Sequence, residues 1–188
     1  MNTILLIGAG KSTTVLIDYL IREAAIHHWK LLVADADLNL AKSKINNSPN
    51  AEAVHLDLLN EQQRGRLIAG TDIVISMMPP GLHYLVAKDC LQFKKHLLTA
   101  SYVDEKIKAL QPQIDAANIL FLCEMGLDPG IDHMSAMKII HQIKDKGGTI
   151  SSFKSHCGGL VAPESNDNPW HYKISGNPRN VVLAGNAG

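Results

Sequence analysis

Short apolar runs alternate with amphipathic stretches over the first 126 residues, which is the pattern of a parallel sheet covered by helices. The apolar runs predict six strands, at residues 3–7, 30–34, 53–56, 72–76, 96–99 and 119–123. Apolar positions at helical spacing predict helices at residues 11–25, 40–45, 61–69, 83–93 and 105–117. We therefore expect residues 1–126 to form an α/β domain, a Rossmann-type doubly wound parallel sheet.

The character of the chain changes at Gly126, where turn residues dominate the stretch "GLDPGIDH". Asp132 is placed to cap a predicted helix at residues 133–144, in which Met134 and Met137 are expected to be core residues. A further strand is predicted at residues 150–156, and the remainder is dense in Gly, Pro and Asn. Residues 127–188 are expected to be the first part of an incomplete α+β substrate or dimerisation domain.

The composition narrows the class of protein. Eighteen basic and eighteen acidic residues give a net charge of zero, which argues against a general electrostatic attraction to nucleic acid or anionic membrane. Cys90, Cys123 and Cys157 show no CxxC spacing, which argues against a disulfide framework or a thiolate zinc site. No apolar stretch is long enough to cross a bilayer, and the first residues lack the features of a signal peptide. We expect a cytoplasmic protein with no metal site.

The stretch "GAGKST" at residues 8–13 follows the first predicted strand and fits two kinds of phosphate loop. Lys11-Ser12 matches the end of an ATP-binding P-loop, but the glycine that should begin the loop is replaced by Leu5, inside the strand. Gly8 and Gly10 instead match the dinucleotide turn, in which the N-terminus of the following helix faces the pyrophosphate. Thr13 replaces the third glycine of that pattern and should hold the helix slightly further from the strand.

Asp35 supports the dinucleotide interpretation, because it follows the second predicted strand about 20 residues after the turn. A carboxylate there accepts hydrogen bonds from the adenosine ribose and repels a 2′-phosphate. We therefore expect NAD in preference to NADP, with NADP possible. The alternatives are that Asp35 only caps the next turn, with Asp37 as the ribose ligand, and that Lys11 is a solvated surface residue rather than a phosphate contact.

Three longer stretches carry a more specific signal: "SYVDEKIKAL", "EMGLDPGIDHMSAMKII" and "HCGGLVAPESNDNPWHYKIS". They resemble the saccharopine dehydrogenases of the glutamate-forming type, and the similarity runs through the whole chain. The resemblance implies a Rossmann domain followed by a substrate domain. It also implies a pyridine-nucleotide-linked, reversible interconversion of saccharopine with glutamate and aminoadipate semialdehyde in lysine metabolism.

The resemblance also implies which residues contact the ligands. Ser101, Tyr102 and Asp128 match substrate contacts, and Tyr102 and Asp128 are the candidate catalytic residues. The implied cofactor contacts are Gly8, Ala9, Gly10, Lys11, Ala34, Asp35, Ala36, Asp57, Leu58, Met78, Ala100, Ser101, Leu127, Asp128, Pro129 and Asn177. His133 and His156 are further candidates for proton transfer, because a histidine titrates in the right range.

Two features leave the function open. The family usually carries Trp where this chain has Gly176, and its members are longer, with a remainder that supplies an arginine for a substrate carboxylate. The alternatives are a related carboxynorspermidine or lysine-type dehydrogenase, or a truncated, catalytically silent NAD-binding module. The expected partners are a small amino-acid substrate and a second copy of the chain in a homodimer.

Overall fold

The computed structural model describes residues 1–156 and 161–173. The strands are β1 (Thr3–Ile7), β2 (Lys30–Asp35), β3 (Ala51–His55), β4 (Ile73–Ser76), β5 (His96–Thr99) and β6 (Phe121–Leu122). The helices are α1 (Thr14–His27), α2 (Leu38–Ile45), α3 (Glu61–Ala69), α4 (His83–Gln92), α5 (Glu105–Lys108), α6 (Gln111–Ala117) and α7 (Ile131–Asp145). Short 3-10 turns occupy Lys11–Thr13, Pro80–Leu82 and Pro163–Ser165.

All six strands form one parallel sheet in the order β3-β2-β1-β4-β5-β6. The order reverses between β1 and β4, so a crevice opens beyond the carboxyl ends of these two strands, where ligands of open α/β sheets bind. This order is that of the Rossmann fold, and the predicted fold class is confirmed.

The strands are buried because helices cover both faces of the sheet. Alternate residues of β1 belong to different cores: Leu5 and Ile7 pack with α3, α4 and α6 on one face, while Ile4 and Leu6 pack with α1 and α2 on the other. The period of two in an extended strand sends successive side chains to opposite faces, so a strand buried on both faces must be apolar throughout. This is why the run "TILLI" shows no alternation.

Several predicted boundaries differ from the structure. The first helix begins as a 3-10 turn and becomes α-helical only at Thr14, and β2 extends to include Asp35. The helix predicted over residues 105–117 is two helices, α5 and α6, because Pro112 near the start of α6 has no N–H to continue a helix from α5. The strand predicted over residues 119–123 shortens to Phe121–Leu122.

Three predictions for the residues after Gly126 are wrong. Helix α7 begins at Ile131, so Asp132 lies inside its first turn rather than before it. Met134 and Met137 are half-exposed, which corrects the prediction that they are core residues. The strand predicted at residues 150–156 is not formed, since within the described residues no other strand pairs with it and a strand needs a partner.

The described chain divides into two compact units, Met1–Gln142 and Ile143–Gly188. The first contains the sheet and every described residue that is discussed below except His156. The domain boundary predicted near residue 126 stays a prediction. In the described part of the chain, no helix is both long enough and apolar enough to span a bilayer.

Candidate active site

The glycine turn between β1 and α1 has the geometry that a dinucleotide requires. Gly8 has φ +105°, and its N–H donates to the carbonyl of Ala34 at 2.8 Å. A Cβ on Gly8 would lie 3.1 Å from the carbonyl oxygen of Met77, whereas a Cβ on Gly10 would meet nothing within 4 Å. Gly8 is thus required by the packing of the turn, and the open space over Gly10 is where a ligand can approach the backbone.

Thr13 occupies the position of the missing third glycine. Its side chain is buried, and its hydroxyl donates to the carbonyl of Gly10 at 2.8 Å. The turn is therefore closed by a side-chain hydrogen bond at the residue where the motif places a glycine for close packing. The 3-10 geometry of Lys11–Thr13 accompanies this change.

Asp35 ties the turn to the end of β2. Its carboxylate accepts from the N–H of Ala9 at 2.6 Å and from the N–H of Asp37 at 2.9 Å. Asp37 is the N-cap of α2, accepting from the N–H groups of Asn39 and Leu40. Of the two acids, Asp35 is therefore beside the glycine turn, while Asp37 is engaged in capping a helix.

Sequence reasoning missed Lys44, at the end of α2. Its ammonium group donates to the carbonyl of Gly10 and, at 2.9 Å, to the hydroxyl of Thr14. A positive charge therefore lies beside the turn, contributed by a helix that the glycine motif does not include. No spacing rule could have located it, because the contact joins residues 30 and more positions apart. Lys11, the cation that the sequence does predict, is exposed.

The remaining predicted adenosine-side contacts follow the strands as expected from their places in the sequence. Ala34 is buried in β2, and Ala36 follows the strand. Asp57 and Leu58 come directly after β3, where the Asp57 carboxylate accepts from the N–H of Leu59 at 3.0 Å and Leu58 is buried. Met78 follows β4 and is partly buried. All of these positions lie at the carboxyl ends of strands.

A chain of three polar side chains links the ends of β4 and β5. Ser76 is the last residue of β4, and its hydroxyl lies 2.8 Å from Nδ1 of His83, the first residue of α4. Nε2 of His83 lies 2.8 Å from the hydroxyl of Ser101, which follows β5 together with Ala100. Burial lowers the pKa of His83, against an opposing effect of Asp104, so the imidazole is held in its neutral form. Sequence reasoning had not singled out His83.

Tyr102 and Asp128, the predicted catalytic pair, are brought together by the fold. The phenol of Tyr102 donates to the Asp128 carboxylate at 2.9 Å across 26 residues of sequence. This hydrogen bond raises the pKa of Tyr102, and partial desolvation and the nearby carboxylates of Asp128, Asp132 and Glu124 raise it further. The phenol therefore keeps its proton and the pair can hold that proton at one defined oxygen.

Leu127, Asp128 and Pro129 lie in the loop before α7, which the N–H of Gly126 closes by donating to the carbonyl of Pro129 at 2.9 Å. His133 is bonded to the Asp132 carboxylate at 2.7 Å rather than to Tyr102 or Asp128. Desolvation by itself would raise the pKa of Asp132, but hydrogen bonds with His133 and Gly130, together with the charge of His133, lower this pKa overall.

Other predicted residues belong to the second unit or lie outside the described residues. His156 is exposed and belongs to the second unit. Asn177, Gly176 and Cys157 lie outside the described residues. Ligand atoms of Asp128, Asp132 and His133 lie within 4.8 Å of one another, but exposed acidic groups often cluster in this way without a metal ion.

Comparisons with known proteins agree with this geometry. Residues 4–122 match the saccharopine dehydrogenase NADP binding domain, and residues 126–188 match the saccharopine dehydrogenase C-terminal domain. The chain belongs to the saccharopine dehydrogenase family. Its fold is that of the family's dinucleotide-binding domain, which supports a pyridine dinucleotide, NAD or NADP, as the ligand of the glycine turn.

Individual relatives extend the similarity over nearly the whole chain. It is 38% identical to the saccharopine dehydrogenase [NADP(+), L-glutamate-forming] of Schizosaccharomyces pombe over 98% of its length, and 38% identical to the alpha-aminoadipic semialdehyde synthase of Arabidopsis thaliana over 97%. Among solved structures, apo saccharopine dehydrogenase (L-Glu forming) from Saccharomyces cerevisiae matches 98% of the chain, with 37% identity and a TM-score of 0.86. The chain spans 40% of the S. pombe and S. cerevisiae proteins and 19% of the Arabidopsis protein.

Proposed function

We propose that this chain is the dinucleotide-binding part of a saccharopine dehydrogenase that links saccharopine to glutamate and aminoadipate semialdehyde through NAD(P). The observation that carries the proposal is the meeting of two site halves at one edge of the sheet. The glycine turn with Asp35 lies after β1 and β2, and Ser101, Tyr102 and Asp128 lie after β5 and β6. Relatives at 37–38% identity carry the corresponding name over nearly all of this sequence.

The bound nicotinamide supplies the hydride chemistry at a C–N bond of the substrate. The chain's own residues bind, orient and handle the proton. The open backbone over Gly10 and the N-terminus of the helix that follows it receive the pyrophosphate, with the Lys44 charge close by. The Tyr102 hydroxyl, oriented by Asp128, is the group that exchanges a proton with the substrate nitrogen or the hydrolysing water.

Turnover with saccharopine, lysine and a diamine substrate tests this proposal, followed as NADH or NADPH formation. Saccharopine oxidation at a rate above the other two substrates supports it, and oxidation of lysine or the diamine in its place assigns the chain to a related dehydrogenase. Dinucleotide binding without turnover of any of the three substrates would contradict the proposal.

We further propose that NAD is preferred over NADP. The support is the Asp35 carboxylate at the carboxyl end of β2, where a negative charge favours ribose hydroxyls over a 2′-phosphate. The family's domain and several relatives are named for NADP, and these names favour the opposite preference.

Replacement of Asp35 separates these two expectations. In Asp35→Ala, the ratio of NADPH to NADH affinity should rise about tenfold or more, because one repulsive charge and one ribose acceptor are lost. Asp37→Asn is the matched control, since it keeps the cap of α2 two residues away and should leave the ratio unchanged. Tighter binding of NADPH than NADH by the unaltered chain would contradict the preference.

The partners and the compartment also remain proposals. We propose a homodimer, supported by the half-exposed apolar side chains of α7, among them Ile131, Met134 and Ile139. A sedimentation experiment that finds only monomer over the micromolar range would contradict it.

We propose a cytoplasmic location, supported by Cys90 and Cys123, which are free cysteines at partly or fully buried positions. Localisation of the tagged protein by fractionation tests it.

A further inference from the structure

The three hydrogen-bonded side chains of Ser76, His83 and Ser101 have no part in the proton transfer proposed for Tyr102 and Asp128. They lie at the ends of β4 and β5, next to the crevice. Ser76 is fully buried and His83 is 2% exposed, while Ser101 is only partly buried. This series of hydrogen bonds therefore runs from the interior of the domain to the surface of the candidate site.

The direction of the hydrogen bonds follows from what is buried. Among the described residues, the Ser76 hydroxyl has one hydrogen-bond partner, Nδ1 of His83. If Nδ1 carried the proton, the Ser76 proton would be buried without an acceptor, which is costly. Ser76 therefore donates to Nδ1, the neutral imidazole carries its proton on Nε2, and Nε2–H donates to the oxygen of Ser101.

These hydrogen-bond directions fix the role of the Ser101 hydroxyl. Its oxygen already accepts from His83, so its own proton points away from the imidazole and is available to an acceptor in the crevice. The low pKa of His83 agrees with this arrangement, because a protonated imidazole would have to donate at both nitrogens and would reverse the bond to Ser76.

In a Rossmann domain the half of the sheet beyond the strand-order reversal holds the second mononucleotide, which here is the half formed by β4, β5 and β6. We propose that His83 is a positioning residue that makes Ser101 a dedicated hydrogen-bond donor to the carboxamide oxygen of the nicotinamide. This inference rests on the proposed function only in requiring that a pyridine dinucleotide binds. It assigns to His83 and Ser76 a role in selecting and orienting the nicotinamide ring.

The test compares complete dinucleotides with the same molecules lacking nicotinamide. NADH and NADPH are titrated into the protein by calorimetry alongside ADP-ribose and its 2′-phosphate, which keep both riboses and the pyrophosphate and lack only the nicotinamide. His83→Leu should weaken the binding of NADH and NADPH about tenfold, because one hydrogen bond to the nicotinamide carboxamide is lost. The binding of the two ADP-ribose compounds should weaken less than about twofold. Ser101→Ala should have the same effect.

The double variant His83→Leu/Ser101→Ala should be no weaker than Ser101→Ala alone, since His83 acts through Ser101. Ser76→Ala should weaken NADH in the same direction, and Ser76→Thr, which keeps the hydroxyl, should restore the affinity. Thr71→Val is the matched control: Thr71 is also buried and hydrogen-bonded, but it precedes β4 at the opposite end of the sheet.

Equal losses for NADH and ADP-ribose in the His83 variant would show a merely structural role and overturn the inference, as would additive losses in the double variant. If His83→Leu does not fold, the Ser76 and Ser101 variants carry the test by themselves. Failure of the unaltered chain to bind any of the four compounds would instead overturn the proposed function, so the two failures are distinguishable.

Discussion

The two halves of the candidate site are assembled in different ways. In the adenosine half, the turn after β1 is held by backbone geometry and by Asp35, which bonds to the Ala9 N–H of the neighbouring strand connection. In the nicotinamide half, side chains from separate loops meet each other: His83 with Ser101, and Tyr102 with Asp128. The first half is built around one strand–turn–helix unit, to which the next strand adds Asp35 and the next helix adds Lys44. The second half consists only of side chains from separate loops and a helix start.

The difference in burial follows from this assembly. Ala9 and Ala34 are fully buried at the turn, so the backbone of the adenosine half is anchored in the core. Tyr102 is about half-exposed, and its partner Asp128 is also exposed. A turn anchored in the core suits the proposed cofactor binding, and the exposed Tyr102–Asp128 pair leaves room for the proposed substrate and proton exchange. Changes to the two halves should therefore differ in whether they cost stability or only function.

The largest expected effect is on stability, at a buried ion pair between α3 and α4. Arg64 of α3 and Asp89 of α4 form a buried ion pair at 2.7 Å, and Arg64 also donates to the carbonyl of Leu58 at 2.6 Å. Arg64→Ala leaves the Asp89 carboxylate buried without its partner and should lower the free energy of unfolding by about 3–5 kcal/mol.

Denaturant unfolding measures this loss. Lys30→Ala is the control, because its pair with Glu52 lies at the surface and should contribute less than about 1 kcal/mol. A similar cost for both variants would mean that the buried α3–α4 pair adds no more to stability than a surface pair.

The next effect distinguishes two glycines of the adenosine half. Gly8→Ala should lower the free energy of unfolding by about 1–3 kcal/mol, because a side chain at φ +105° is strained and its Cβ would contact the Met77 carbonyl. Gly10→Ala should leave stability nearly unchanged, since its φ is −61° and the space is open, but should weaken dinucleotide binding. Unaltered binding by Gly10→Ala would place the ligand elsewhere.

A smaller effect concerns pH and the nicotinamide half. Burial lowers the pKa of His83 below the ordinary histidine value of about 6.5, so the unfolded chain binds this proton more readily than the folded chain. The contribution of His83 to stability is therefore complete above about pH 6.5 and is lost as the pH falls towards the lower folded-state pKa. His83→Gln should reduce the loss of thermal stability between pH 7.5 and 5.5, as measured against the unaltered chain. An unchanged pH dependence would show that the imidazole is not held neutral.

The smallest effect on stability is expected at the exposed pair. Asp128→Asn should change the free energy of unfolding by less than about 1 kcal/mol, because the Tyr102–Asp128 hydrogen bond is exposed. It should nevertheless return the pKa of Tyr102 towards its ordinary value, because the carboxylate that accepts the phenol proton is removed. Ultraviolet titration, with Tyr102→Phe to identify the signal, measures the change. A Tyr102 pKa insensitive to Asp128 would contradict the proposed pairing.

Particular residues show how far the sequence could lead. Gly8 and Gly10 are predictable, because a tight turn after a buried strand requires glycine, and the strand-to-strand spacing favours Asp35 with Asp37 as the alternative. Helix α7 and the two-residue strand β6 had imprecise bounds, since the ends of such elements depend on neighbours. His83 and Lys44 could not have been found, because each acts through a contact with a residue far along the chain.

The sequence by itself determined the class of fold and the position of the phosphate turn. Buried parallel strands require continuous apolar runs, and a tight turn requires glycine, so both leave a local signature. Only the tertiary structure decided that Asp35 lies at the turn while Asp37 caps a helix, and that a neutral histidine connects the ends of β4 and β5. These are decided by packing and by the satisfaction of buried polar groups, which depend on distances between loops that no local pattern encodes.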